Sequence, residues 1–440
     1  MILASPSHRR QTPVKVQGPA SAPRLAAGVV SALGLGFAGA AIGLVALYVS
    51  LPAAGIVYAV AYMILTWVRP DLALMLMFAA APFPYDLGGG PVKMALAEID
   101  LVLAAPVLLV RAILRHQKFA SNPIKWPVLA YFIVCIVSSL HGGLDADGVK
   151  SLAQMAIYLI LAVFVFSSCV NDLRLFYAAL YGLLLSAAIL GTIGVITRQE
   201  YFLGIHKNSL GTSLSYAVIV CGELWFAGAD GRRKRRMALL GCVLVGGLFF
   251  SLSRGAWVAA AFGLAVVAAM RGEFRLLLRG MTVAALIILI CWQLLPRSRQ
   301  ESATDITLEA HNVKTRLVSI EYAMHYFETS PVMGVGVGLR KEYDATNVVM
   351  STLAETGVLG LAAFMSIFLV LSWSLWSARR QIPAREPAFS LLAIGLALAL
   401  GQFLHGLVDH YWSRSLLIPW AATGIALFVC HSARDKIAVR

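Results

Sequence analysis

The chain has 440 residues, 59% of them hydrophobic and only 13% charged, with a mean hydropathy of +0.79. So little charge cannot cover a soluble protein of this size, and apolar runs of about 17–25 residues recur, each long enough to cross roughly 30 Å of hydrocarbon. The runs lack the strict alternation of a membrane β-barrel, so the chain reads as an all-α polytopic transmembrane helical bundle.

In chain order, residues 1–24 are polar, basic and rich in Pro and Ser, and read as a disordered cytoplasmic tail. Apolar periodicity then predicts spans at 25–48, 52–67, 70–83, 100–114, 125–141, 151–168, 173–196, 208–228, 237–252, 255–270, 280–296, 346–374, 387–405 and 416–431. The 52–83 region can merge or re-enter, so the total is about 12–14 crossings. Helices 1–11 thus occupy 25–296, a large outer-face (periplasmic) loop fills 297–345, helices 12–14 occupy 346–431, and 432–440 is a second cytoplasmic tail.

The net charge of +14 does not point to a nucleic acid, because Lys and Arg gather between spans: Arg111 to Lys118, Arg232 to Arg236, Arg271 to Arg279, Arg379-Arg380 and Arg434 to Arg440. This is the pattern of the positive-inside rule, with the bilayer as the partner. The six cysteines are scattered singly without metal-ligand spacing and read as small buried hydrophobes.

This topology sends 83–98, 198–208, 251–254, 297–345 and 405–414 to the outer face. Charge retained there at span ends is costly to draw toward the bilayer and marks candidate functional groups. Arg254 stands out, because Ser251-Leu252-Ser253-Arg254-Gly255 interrupts an apolar stretch from Met237 to Met270. A guanidinium at that depth matches phosphate geometry and cannot lose its charge.

The order of these signals resembles the O-antigen ligase and Wzy-type polysaccharide polymerase superfamily. The resemblance rests on His206-Lys207-Asn208-Ser209-Leu210-Gly211 opening a span, then the Ser-Leu-Ser-Arg-Gly turn, then Lys314-Thr315-Arg316. Ser330-Pro331 to Gly338 follows, with glycines at 334, 336 and 338, and last comes Thr346-Asn347 through Glu355 to Gly360. It implies a bacterial inner-membrane glycosyltransferase that takes glycan from an undecaprenyl-diphosphate donor with inversion, without a cofactor or metal. Its acceptor would be a growing glycan or lipid A-core, and chain-length regulator and flippase proteins are candidate partners. Arg254 and Arg316 match the arginines thought to neutralise the departing diphosphate.

The family usually carries His-Asn where this chain has Thr346-Asn347, and threonine cannot act as a general base near neutral pH. The base must then come from His311, Glu309, Asp305, Glu342 or Asp344 in the same loop, or leaving-group stabilisation must carry the reaction. That departure leans the reading toward an exopolysaccharide or O-antigen polymerase, with a ligase as the alternative. A glycan transporter is the alternative from another class, although the polar residues collect on one face and no internal halves are evident.

Glu355, inside an apolar stretch, is a candidate catalytic residue expected to pair with Arg254 or Arg316. Candidate substrate-binding groups are Arg198, Lys207, Asn208, Arg340, Asn347, His405 and Asp409. His405 and Asp409 share a helix face if the span continues past Leu404; otherwise they form an interfacial polar end beside an aromatic belt of Tyr411 and Trp412. The segment 82–100 is expected to lie flat on the outer interface.

Overall fold

The computed structural model describes residues 51–83, 94–117, 119, 121–199, 203–228, 230–297, 300–301, 311–339, 346–409, 411–412 and 416–438. The expected tail 1–24 and span 25–48 lie outside the described residues. Contacts divide the chain into residues 1–61 and 62–440; the first unit is described only as the beginning of helix α1 (Leu51–Val68). The second unit continues α1 and adds α2 (Pro70–Ala80), α3 (Leu96–Leu114), α4 (Lys125–Gly142), α5 (Ala146–Cys169), α6 (Leu173–Thr197) and α7 (Lys207–Ala227). It is completed by α8 (Gly231–Phe250), α9 (Arg254–Arg271), α10 (Phe274–Gln293), α11 (His311–Thr329), α12 (Val348–Ala378), α13 (Pro387–His405) and α14 (Leu417–Ala438). No strand occurs among the described residues, so the fold is the expected all-α bundle.

Among the described residues seven helices, α4, α5, α6, α7, α9, α12 and α13, are long and apolar enough to cross a membrane. Helix α2 has 11 residues, about 16 Å of rise, and is too short to cross alone, so the stretch 70–83 is not an independent span. The polar interval 297–345 contains a helix, α11. Glu98 and Asp100 are buried within α3, which corrects the expectation that the stretch up to residue 100 lies flat on the interface; 84–93 fall outside the described residues. Glu98 caps the start of α3 through Ala95 N–H at 3.0 Å and accepts from the Tyr158 hydroxyl, so it is satisfied internally.

Helices α7 and α13 are the most buried of the spans and are joined by the Tyr216 hydroxyl donating to Gln402 Oε1 at 2.6 Å. Peripheral helices turn apolar side chains outward, as α10 does with Leu278, Leu286 and Ile290. In hydrocarbon such a surface carries no penalty, whereas in water it would drive association. Of the cysteines, five are buried as expected and Cys242 is exposed on α8.

The two ends of the bundle differ in chemistry. At one, Arg271 forms a buried ion pair with Glu223, its Nε donating to Oε2 at 2.7 Å, and also donates to Ala384 O and Ser390 Oγ. Arg379 donates to Ala269 O at 3.2 Å, and Tyr177 to Pro387 O at 2.8 Å. This is the end where the basic clusters at 232–236, 271–279 and 379–380 sit. At the other end the chain leaves helical geometry repeatedly, and all the family-resembling segments gather there.

Helix α12 is broken at Gly357, whose φ of 63° and ψ of −168° are barred to L side chains. A Cβ there would stand 2.3 Å from Val332 O. Val358 N–H donates to Pro331 O at 3.0 Å, so the backbone groups freed by the break are taken up by the preceding loop.

Arg271→Ala strands Glu223, whose side chain is 0% exposed, and is expected to cost about 3–5 kcal/mol. The readout is a lower melting temperature in detergent and lower membrane abundance, with Glu223→Gln plus Arg271→Met recovering most of the loss. Gly357→Ala drives a methyl into the Val332 carbonyl and is expected to cost about 1–3 kcal/mol. Limited proteolysis should then cut the 331–338 loop faster, and an unchanged rate would refute the packing assigned to Gly357.

Candidate active site at the polar end

The turn between α8 and α9 is held by its serines. Ser251 Oγ donates to Leu248 O at 2.7 Å and accepts from Ser253 N–H at 3.3 Å, which supports the left-handed Leu252 between them. Trp257 stacks on Phe249 with 5.4 Å between ring centroids and donates from Nε1 to Leu248 O at 2.8 Å. Arg254 is thereby fixed as the first residue of α9, with its side chain exposed.

From this turn a continuous set of contacts links four further elements. A Cβ at Gly211 of α7 would lie 2.6 Å from Ser253 Cβ, so the start of α7 is pressed against the turn. On the other side, a Cβ at Gly255 would lie 2.7 Å from Val408 and 3.2 Å from the His405 ring. The segment after α13 is tied in turn to the start of α12: Val348 N–H donates to Gly406 O at 2.7 Å, and Asn347 Nδ2 to Leu407 O at 3.0 Å. Thr346 N–H donates to Ser319 Oγ of α11 at 3.1 Å, one turn beyond Arg316. Arg316 is half-buried on that helix.

The expected site residues are therefore largely brought together. Lys207 and Asn208 form the first turn of α7, where Asn208 N–H donates to His206 Nδ1 at 3.2 Å. Asn347 caps α12, its Oδ1 accepting from Val349 and Met350, so every polar atom of its side chain is engaged within the protein. Helix α13 ends at His405, and Gly406 to Val408 turn away. Even so, His405 Nε2 and Asp409 Oδ2 are 3.7 Å apart. His405 is 3% exposed, and neither ring nitrogen has a hydrogen-bond partner among the described residues. Tyr411 and Trp412 are not an interfacial belt: both are buried, packed on Tyr131 and Phe364 in an aromatic cluster.

Arg198 lies exposed at the C-cap of α6, on the connection to Lys207. His311 opens α11. Its side chain lies outside the described residues, as do Arg340 and the alternative bases Asp305, Glu309, Glu342 and Asp344.

Glu355 belongs to a second cluster. Its Oε1 accepts from Gly338 N–H at 2.9 Å, and its backbone carbonyl accepts from Gly336 N–H at 3.0 Å and from Ser138 Oγ at 2.5 Å. The expected arginine partnership is thus replaced, for this oxygen, by the backbone of the glycine-rich loop. Gly334, Gly336 and Gly338 all have positive φ, as the sequence leads one to expect. Ser138 also accepts from Gly336 N–H and Ser139 from Val337 N–H. Ser138, Ser139 and Ser319 were not singled out from the sequence; the only trace of the first two is a polar pair at the end of an apolar run.

Helices α7, α9 and α12 all begin in the first cluster, so the partial positive charge of their N-termini lies at the same end as Arg254, Arg316 and Lys207. Such a site favours a multiply charged anion and stabilises negative charge that grows there during a reaction.

Residues 238–365 match the family model described as O-antigen ligase. No curated protein matches the chain. The matched segment carries Arg254, Arg316, the glycine-rich loop and Glu355, and stops before His405, which packs onto it from outside. By this match residues 238–365 of a multi-pass membrane protein are similar to the O-antigen ligase family, in agreement with the resemblance read from the sequence motifs.

Proposed function

We propose that the protein is a Wzy-type polymerase of a bacterial inner membrane, joining glycan repeat units carried on undecaprenyl diphosphate at the periplasmic face. The observation that supports this reading is that the turn carrying Arg254, the segment after α13, the start of α12 and the helix carrying Arg316 are joined in series by close packing and hydrogen bonds. In the proposed reaction a hydroxyl of the acceptor glycan attacks the anomeric carbon from the face opposite the diphosphate. The new carbon–oxygen bond forms as the bond to the phosphate oxygen breaks, and the electron pair departs with undecaprenyl diphosphate. Arg254, Arg316 and the N-termini of α9 and α12 stabilise that added charge. The hydroxyl proton passes to a base, for which His311 is the candidate where Thr346 replaces the family's histidine. Asn347 and Glu355 act as positioning residues, and Arg198, Lys207 and Arg340 guide the donor. With Thr346 in place of that histidine, polymerisation is favoured over transfer to lipid A-core.

Cells lacking the protein should accumulate single repeat units on the polyprenyl carrier and lose long polymer. Arg254→Lys and Arg316→Lys at equal membrane abundance should each restore less than about a tenth of the polymer, because an ammonium cannot reproduce a bidentate guanidinium contact. Normal polymer in either variant would remove that residue from the mechanism. Long polymer retained on the carrier would make the enzyme a ligase, and unchanged lipid-linked glycan would favour a transporter. Asn347→Asp keeps the helix cap but loses the donor to Leu407 O, whereas Asn347→Ala loses both, the cap being worth about 1 kcal/mol. Polymer yield per unit of membrane protein should fall from wild type to Asp to Ala, and equal yields would sink the positioning role.

A further inference from the structure

Beside the second cluster lies a cavity of about 440 Å³, within the range of roughly 300–1,000 Å³ usual for small-ligand sites. It is lined by Asp145 and Asp147 at the start of α5, by His325, Tyr326 and Thr329 at the end of α11, and by Ser139 with the glycine-rich loop. Its floor is close-packed backbone: a Cβ at Gly142 would meet Val335 O at 1.8 Å, and one at Gly148 would meet Val337 O at 3.1 Å. Ser139 and Glu355 hold that floor from behind. The wall is thus rigid before any ligand arrives, which lowers the ordering cost of binding.

The lining chemistry is selective. Among its described residues there are two carboxylates, Asp145, whose Oδ1 accepts from Gly148 N–H at 2.6 Å, and Asp147, and no lysine or arginine, a lining that disfavours an anion. Asp147 is exposed, and carboxylates are acceptor-only groups suited to hydroxyl donors. His325 and Tyr326 set two rings side by side, 6.0 Å between centroids, offering apolar faces to the C–H faces of a sugar ring. Position matches chemistry, because Arg316 and Tyr326 lie on one helix, roughly 15 Å apart along its axis. Helix α12 spans the same interval, with Asn347 at the first cluster and Glu355 at the second.

We infer that this cavity is a subsite for the uncharged, hydroxyl-rich sugars of the glycan, held at a fixed distance along α11 from the arginines that bind its diphosphate. The inference rests on the reading of the arginine cluster above, and it divides recognition between two sites of opposite charge preference.

The test uses the full-length protein in lipid nanodiscs and two separate probes. One is the oligosaccharide released by mild acid from the lipid-linked donor of the same cells; the other is farnesyl diphosphate. Asp147→Asn and Tyr326→Ala should each weaken oligosaccharide binding at least tenfold and leave farnesyl diphosphate binding unchanged. Arg316→Lys should do the reverse. Oligosaccharide binding that is absent from wild type, or untouched by both cavity variants, overturns the subsite. Loss of both probes in both cavity variants overturns it too, since that would mark a structural role. Failure of the reading beneath it has a different signature: farnesyl diphosphate binding insensitive to Arg316→Lys, whatever the sugar titration gives.

Discussion

A backbone N–H or C=O left unpaired at membrane depth costs several kcal/mol, so a chain that departs from helix there must find partners from outside the segment. This protein departs from helix repeatedly at one end and supplies the partners with small polar side chains. Ser138 bridges Glu355 O and Gly336 N, Ser139 takes Val337 N, Ser251 ties the 251–254 turn, Ser319 takes Thr346 N, and Asn347 serves both α12 and Leu407 O. Each bond satisfies a group that hydrocarbon cannot. Together they fix the backbone that carries Arg254, Arg316 and His405, so the same constraint that keeps irregular backbone tolerable also sets where these residues start from.

The class of fold is written in the length of the apolar runs, and the two-ended character in where the basic residues fall. Arg254 and Arg316 are legible because charge at a span end has few bland explanations. What the sequence hides is distance in the chain: Ser138 and Glu355 are 217 positions apart, and nothing local to a serine in an apolar run reveals which carbonyl it will meet. Glu355 invited an arginine partner on grounds of charge alone, yet one of its oxygens is taken by a backbone N–H, which a residue-by-residue reading has no means to see. Tyr411 and Trp412 misled for a related reason, since aromatic residues at a span end serve equally well in an interfacial belt or a buried cluster, and only packing decides. Helix α11 was hidden because it is not an apolar run, and the rules for finding spans pass over it.

The two clusters at the polar end are complementary in charge and linked by stiff elements. One gathers guanidinium groups and helix N-termini; the other offers carboxylates, hydroxyls and aromatic faces. A lipid-linked glycan has the same two parts, a diphosphate end and a body of hydroxyls, which is why the proposed function takes such a molecule as substrate.

The break at Gly357 has a mechanical side. Helix α12 has 31 residues, about 46 Å of rise, well beyond the hydrocarbon thickness, and the break leaves a piece of roughly 30 Å below it and a short piece above. The lower piece matches the bilayer by itself. The upper piece, capped by Asn347 and bearing Glu355, is stapled to the loop at Val335, Gly336 and Gly338 and to the segment after α13, and the first residue of the lower piece, Val358, is tied to Pro331. The excess length of the whole helix over the bilayer is thus relieved by a break in its axis at Gly357, so a single rod of about 46 Å need not tilt through the hydrocarbon.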